Sequence, residues 1–209
     1  MTLKIAIIDN HMGNIGSVVN AFSLLRQEVV VSDKPSILKK ANAYILPGVG
    51  AFPQAMRNLK DNNLVEFLDQ QIIHKKKPFL GICLGMQILA TTSEEQTLTK
   101  GLGWIDGEVV LMKSRTNFPI PHVGWNHLDV FDDQVLLKDI EQKATFYFDH
   151  SYQFLPKKQE SVSATTEYGN SFASIVNRDN IFGTQFHPEK SQRKGLKVLR
   201  NFINYIDDN

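Results

Sequence analysis

Pro78-Phe79-Leu80-Gly81-Ile82-Cys83-Leu84-Gly85-Met86-Gln87 is the stretch that decides the fold. The apolar run Pro78–Ile82 has the length and composition of a buried strand, and Leu84–Ala90 is apolar at helical spacing. Glycines flank the join at Gly81 and Gly85, which makes a G-x-nucleophile-x-G pattern with cysteine in place of serine. Such glycines permit a sharp strand-to-helix bend that a side chain would obstruct. The bend pushes the Cys83 sulfur out of the sheet, and a helix N-terminus behind it favours the thiolate. Backbone amides at the turn, such as that of Leu84, are placed to stabilise an oxyanion. A lone cysteine is more often a small buried hydrophobe, so the elbow needs support from elsewhere in the chain.

Working outward, strand and helix patterns alternate through the first half. Leu3–Ile8, Glu28–Val31 and Ala43–Leu46 read as buried strands, Ile15–Leu25 as a helix with Val18, Val19, Phe22 and Leu25 on one side, and Leu64–Ile73 as another helix. That alternation predicts a parallel sheet covered by crossover helices on both faces. In the second half Glu108–Met112, Thr145–Phe148, Ser161–Thr166, Ser171–Val176 and Ile181–Phe186 are closely spaced and strand-like, which suggests antiparallel additions to the same sheet. Gly195–Ile206 is an amphipathic helix. One α/β domain over residues 1–209 is expected, with no repeat or linker.

The balance of 23 Lys and Arg against 22 Asp and Glu gives no electrostatic case for nucleic acid or a membrane as partner. The N-terminal run ends in Asp9 without a basic leader, so it reads as a strand rather than a signal peptide. Cys83 is the single cysteine and has no intramolecular disulfide partner, which suits a reducing cytoplasm.

Two further motifs support the elbow. The strand Ile181–Phe186 runs into His187-Pro188-Glu189, and a histidine just past a strand can reach over the C-terminal edge of a parallel sheet. There His187 can take the Cys83 proton as general base, and Glu189, two residues on in an extended segment, can orient the ring. Leu46-Pro47-Gly48-Val49-Gly50 follows another strand, and its glycines suit either a backbone N–H at Val49 or Gly50 as the second oxyanion donor or, equally, a plain loop. The full dinucleotide fingerprint is lacking, so no such cofactor is expected. His11, His74, His122, His127 and His150 are scattered in sequence, so core or surface roles are the default and no metal is expected. Lys75-Lys76-Lys77 reads as a solvated helix end. Trp125 and Tyr147 are candidates for interface aromatics, with core packing the alternative.

Pro47–Gly50, Gly81–Gln87 and Gln185-Phe186-His187-Pro188-Glu189 together resemble the class I (triad) glutamine amidotransferases, in family order and over essentially the whole chain. Within that family the sequence is most similar to glutaminase subunits that supply ammonia for imidazole glycerol phosphate synthesis in histidine biosynthesis. Pro121–Asn126, His150-Ser151-Tyr152 and His187–Ser191 carry that narrower likeness. The resemblance implies glutamine hydrolysis to glutamate and ammonia through a γ-glutamyl thioester on Cys83. It implies that Gln87 and Glu95 hold the polar ends of glutamine and that His150, Ser151 and Tyr152 line the same pocket. It also implies an oxyanion strand at Pro47–Gly50, with a peptide orientation that depends on the partner. That partner is a (β/α)8-barrel cyclase subunit in a heterodimer, reached through an ammonia tunnel. No cofactor is implied.

The sequence departs from the family at Asn10-His11-Met12, where Tyr-Gly-x is usual, and at Asp149, where an apolar residue is more common. Neither touches the triad. They keep open a paralogous subunit that feeds a sugar-modifying synthase of surface polysaccharide. A free-standing thiol hydrolase and a non-catalytic scaffold are more distant alternatives, and the intact triad residue types argue against the scaffold.

Overall fold

The computed structural model describes residues 4–113, 116, 118–131 and 135–208. Met1-Thr2-Leu3, including the start of the expected first strand, lie outside the described residues. Through the first half the order is β1 (Ile5–Ile8), α1 (Ile15–Leu24), β2 (Val29–Ser32), α2 (Pro35–Leu38), β3 (Ala43–Gly48), α3 (Phe52–Asp61), α4 (Leu64–Leu68), β4 (Phe79–Cys83) and α5 (Leu84–Gln87). β1, β2, β3 and β4 pair in parallel. Burial on both faces explains why β1, β3 and β4 are apolar without a break, whereas β2, expected as a buried strand, is the edge of the sheet with Val30 and Val31 exposed. Ile5, Ile7, Ala43, Ile45, Leu80 and Ile82 enter one core, while Ala6, Ile8, Tyr44, Leu46 and Phe79 enter the other. Residues 52–61, unassigned from sequence, form α3 because Pro53 opens the helix and Phe52, Met56 and Leu59 bury one side.

The expected helix at Leu64–Ile73 changes character partway, with Asp69–His74 in wider π-helical turns. Lys77, expected in solvent, donates from Nζ to Ala41 O at 2.6 Å, and burial, aided by Lys75, lowers its pKa. Its charge thus caps a carbonyl in the loop that leads from α2 into β3.

The second half contributes β5 (Thr92–Ser93), β6 (Thr99–Lys100), β7 (Gly107–Leu111), β8 (His122–His127), β9 (Asp129–Val130), β10 (Thr145–His150), β11 (Tyr152–Pro156), β12 (Val162–Tyr168), β13 (Asn170–Arg178), β14 (Ile181–Thr184) and α6 (Gln192–Asp207). The main sheet has the order β2-β1-β3-β4-β14-β13-β12-β9, with β14 parallel to β4 and antiparallel to β13. This is an α/β fold with a mixed, mostly parallel centre. The expectation that every later strand joins one sheet is corrected. β7 sits in a separate sheet ordered β11-β7-β5-β6, and β10 pairs with β8 in a two-stranded ribbon. Alternation reports which face of a strand is buried and carries no information on which strand it pairs with.

α1 and α6 cover one face of the main sheet through Val18, Phe22, Val198, Leu199, Phe202 and Ile203. α3 and α4 cover the other through Phe52, Met56, Leu59, Leu64 and Leu68. Phe202→Ala, at a fully buried position, is expected to lower unfolding free energy by about 3–5 kcal/mol in a denaturant titration. Leu24→Ala, at a position 73% exposed on α1, is expected to change it by less than about 0.5 kcal/mol.

Candidate active site

β4 ends on Cys83 with φ 54° and ψ −108°, a conformation that side-chain-bearing residues seldom adopt. The turn is held by close backbone approaches. A Cβ at Gly85 would lie 1.8 Å from Leu46 O, and one at Gly81 would lie 2.3 Å from Gly85 O. The flanking glycines are therefore required for space. The β3–β4 register sets Gly48 opposite Cys83, which brings Val49 and Gly50 alongside the elbow. Gly50 has φ +97°, so this loop also uses a conformation that favours glycine.

The helix behind the elbow is one turn long, Leu84–Gln87, rather than the expected Leu84–Ala90. Ile88 O, Leu89 O and Ala90 O instead accept from Leu102, Ile105 and Gly103, which ends the helix by diverting its carbonyls. A single turn has little macrodipole, so local amides and side chains must supply most of any stabilisation of an anion here.

β14 runs parallel to β4 with Thr184 opposite Ile82, so the residues after it pass the same sheet edge as Cys83. The strand ends at Thr184 rather than Phe186, and the His187 N–H bonds to Tyr147 O at 2.9 Å. His187 Nδ1 lies 2.8 Å from Glu189 Oε1, with both side chains almost fully buried. The expected extended segment between them is a single 3-10 turn, Pro188–Lys190, which folds the carboxylate back beneath the ring. Ser191 Oγ donates to His187 O at 2.6 Å and accepts from Tyr147 N, which fixes this turn against β10. His187 Nε2 is buried with no hydrogen-bond partner among the described residues. Burial alone pushes the imidazolium pKa down, but Cys83 and then Glu189 outweigh it and raise His187 to about 10.

A cavity of about 450 Å³ opens over the sulfur. Its walls include Cys83, Val49, Gly50, Leu84, Gln87, Glu95, His150, Ser151 and Tyr152, so all the expected pocket residues converge with the expected nucleophile. Gln87 Nε2 donates to Tyr152 O at 2.9 Å and to Gln185 Oε1 at 3.1 Å, so its remaining group for a ligand is a carbonyl oxygen. Glu95 Oε2 accepts from Phe52 N at 2.8 Å; burial raises the Glu95 pKa and that bond opposes the rise. Larger clefts of about 520 Å³ beside α6 and about 720 Å³ beside β8 contain neither the cysteine nor the buried His–Glu pair.

Three features were not legible in advance. His122 and His150, far apart in sequence, pair across the β8–β10 ribbon with Nδ1 and Nε2 3.1 Å apart. Asp149, expected to leave the triad untouched, has its backbone O 3.8 Å from the Cys83 sulfur, and Gln185 Nε2 lies 3.7 Å from it. The only advance signal for Gln185 was its place in the Gln-Phe-His-Pro-Glu motif.

With this geometry in place, the family model of the class-I glutamine amidotransferases matches residues 6–205, and the chain belongs to that family. Among curated relatives, an imidazole glycerol phosphate synthase subunit HisH 1 from Campylobacter jejuni is 46% identical, covering 95% of this chain and 98% of the relative. Methanococcus maripaludis contributes two such subunits: HisH 2 is 43% identical over 95% of this chain and 98% of its own length, and HisH 1 is 42% identical over 97% and 100%. Solved structures share the fold. A putative GMP synthase subunit from Thermoplasma acidophilum has a TM-score of 0.74 at 20% identity, covering 100% of this chain and 96% of that one. PurLQS from Thermotoga maritima has 0.75 at 20% identity, over 99% and 100%.

Gly85→Ala is expected to destabilise the chain by about 2 kcal/mol or more through its clash with Leu46 O, read by denaturant titration. By NMR, the His187 ring should keep its proton through neutral pH and lose it near pH 10. Because that pKa is raised above 6.5, its stabilising effect is complete below pH 6.5 and is lost as pH climbs through about 10. Cys83→Ala should move the proton loss down by at least about one unit; an unchanged titration would show that the sulfur does not act on the ring.

Proposed function

We propose that this chain is a glutaminase subunit that releases ammonia from glutamine through a covalent thioester on Cys83 and passes it to a synthase partner. The observation that carries the proposal is Cys83 at a strained elbow beside the buried His187–Glu189 pair, at the floor of a cavity of amino-acid size.

With the cysteine's proton already held on the His187 imidazolium, the Cys83 sulfur attacks the side-chain amide carbon of glutamine. The amide oxygen takes up the negative charge and is held by backbone N–H groups of Leu84 and the Val49–Gly50 loop. Collapse of this intermediate breaks the C–N bond, and His187 returns the proton so that ammonia leaves. Water, deprotonated by His187, then attacks the thioester, releasing glutamate and restoring the thiol. Glu189 keeps the proton on His187 Nδ1 and orients Nε2 toward the sulfur. Glu95 and the Gln87 carbonyl oxygen bind the amino end of glutamine, with His150, Ser151 and Tyr152 shaping the remaining wall.

The partner proposed is a (β/α)8-barrel cyclase that makes imidazole glycerol phosphate in histidine biosynthesis, forming a heterodimer with the whole of residues 1–209 as one domain. Support comes from the relatives' identity over nearly full length. It also comes from an exposed patch near the cavity. Val123 and Trp125 are 54% and 49% exposed, Trp125 meets Tyr147 edge-on, and Lys190 Nζ lies 5.4 Å from the Tyr147 ring centre. Channelling across this patch keeps ammonia from being protonated in bulk water. Cytoplasmic residence follows from the pathway.

A second partner, a sugar-modifying synthase of surface polysaccharide, rests on two observations. The chain is as similar to HisH 1 as to HisH 2 of a single organism, so identity does not distinguish paralogues. Its unusual residues are also embedded in structure. Asn10 is buried and donates to Ala55 O, and His11 lies between Asp9 and Asp33.

Glutamate release, measured with the chain alone and then with the histidine-pathway cyclase and its substrate, is expected to rise at least about 100-fold with the cyclase. Cys83→Ala should abolish it, His187→Ala should lower it by about 10³ or more, and Glu189→Gln should lower it less. Turnover retained in Cys83→Ala would overturn the chemistry. Stimulation only by a sugar synthase would overturn the pathway and leave the chemistry standing.

A further inference from the structure

Gln185 is fully buried between β14 and His187. Its amide touches two groups: Nε2 is 3.7 Å from Cys83 Sγ, and Oε1 is 3.1 Å from Gln87 Nε2. Which end of the amide faces the sulfur is decided by groups that can act in only one sense. Tyr152 O is a carbonyl and only accepts, so the Gln87 group 2.9 Å away must be its NH2. The second hydrogen of that NH2 goes to Gln185, whose facing atom is therefore its oxygen. What remains for the sulfur is an N–H.

The same polarity continues outward. Tyr152 O also accepts from His150 Nδ1 at 2.8 Å, which makes Nε2 of the neutral ring an acceptor for His122 Nδ1 at 3.1 Å. His122 Nε2 then accepts from Asn126 Nδ2 at 3.4 Å, and that amide also donates to Glu167 O at 3.0 Å. Both imidazoles stay neutral near pH 7, because burial lowers His122 to about 4 and His150 to about 3. Every bond from the half-exposed ribbon to the sulfur thus has a consistent donor and acceptor.

We propose that Gln185 is a positioning residue that donates its N–H to the Cys83 sulfur and steadies the thiolate before attack. The proposal rests on Cys83 being the nucleophile. A donated N–H favours the charged form of its acceptor, whereas the neutral thiol would instead donate to Asp149 O at 3.8 Å. Two partners of opposite preference therefore bracket the sulfur. The ionisable groups around it are His187 and Glu189 after β14, Asp149 and His150 on β10, Tyr152 on β11 and Glu95 across the cavity. Lys190 is paired with Asp149 at 4.0 Å. None of them is altered by Gln185→Met, which keeps the length of the side chain and removes the donor.

The test is the pH dependence of Cys83 alkylation by iodoacetamide in the full chain, which needs neither glutamine nor partner. Gln185→Met is expected to move the alkylation profile to higher pH by about one unit. A folded variant with an unmoved profile would overturn the proposal, since a residue needed only for packing has no reason to shift a titration. Should the variant fail to fold, side-chain amide NMR of the unaltered chain replaces it. The Gln185 NH2 signals should move with the same midpoint as alkylation, and signals that ignore the titration would overturn the proposal. Glutamine turnover in Cys83→Ala separates the two levels. Turnover retained there removes the nucleophile on which the proposal rests. A dead Cys83→Ala with an unmoved Gln185→Met profile removes only the role of Gln185.

Discussion

The contact between Gly85 and Leu46 O, too close to admit a Cβ, fixes how β3, β4 and the turn after β4 fit together. With that contact made, the chain can leave β4 only by bending hard at Cys83, which takes the positive φ that projects its sulfur above the sheet edge. The parallel pairing of β14 with β4 then determines what meets the sulfur, because the residues following β14 emerge at the same edge. One strained residue and two parallel pairings thus gather Cys83, His187 and the Val49–Gly50 loop from segments well separated along the chain. The strain is borne by a core of fully buried strands on either side.

Electrostatics completes what geometry begins. The helix behind the elbow is too short to carry a substantial dipole, so the stabilisation expected of it falls to side chains. His187 is held by Glu189 in a dry turn, and the ring's affinity for a proton rises because Cys83 and Glu189 flank it. The opposite arrangement governs His122 and His150, which have no carboxylate partner among the described residues and stay neutral by burial. Two pairs of buried titratable groups with opposite proton preference thus sit within one site. One pair is suited to moving a proton, and the other to holding an amide network in register.

Much of this was legible in the sequence, and the limits have physical causes. Strands buried on both faces announce themselves as unbroken apolar runs, so β1, β3 and β4 were readable, and the elbow's glycines betrayed the close approach. Segments that pair locally were harder. β8 exposes Val123 and Trp125 while burying His122, and nothing in such alternation says that it joins β10 in a ribbon apart from the main sheet. The turn joining His187 to Glu189 is not the extended segment expected, because two-residue spacing suits a strand and a Pro-led 3-10 turn alike. The pocket residues came from resemblance to a family rather than from spacing. The amide chain through Gln87 and Gln185 depends on donor and acceptor sense, which exists only once the folded neighbours are known.

Everything proposed for the site stands on Cys83 as the nucleophile, and the most direct measurement is site mapping of a glutamine-shaped chloroketone by peptide mass spectrometry. The predicted result is a single adduct on Cys83 that free glutamine suppresses and that His187→Ala slows. An adduct on another residue, or labelling of Cys83 that glutamine does not suppress, would contradict it.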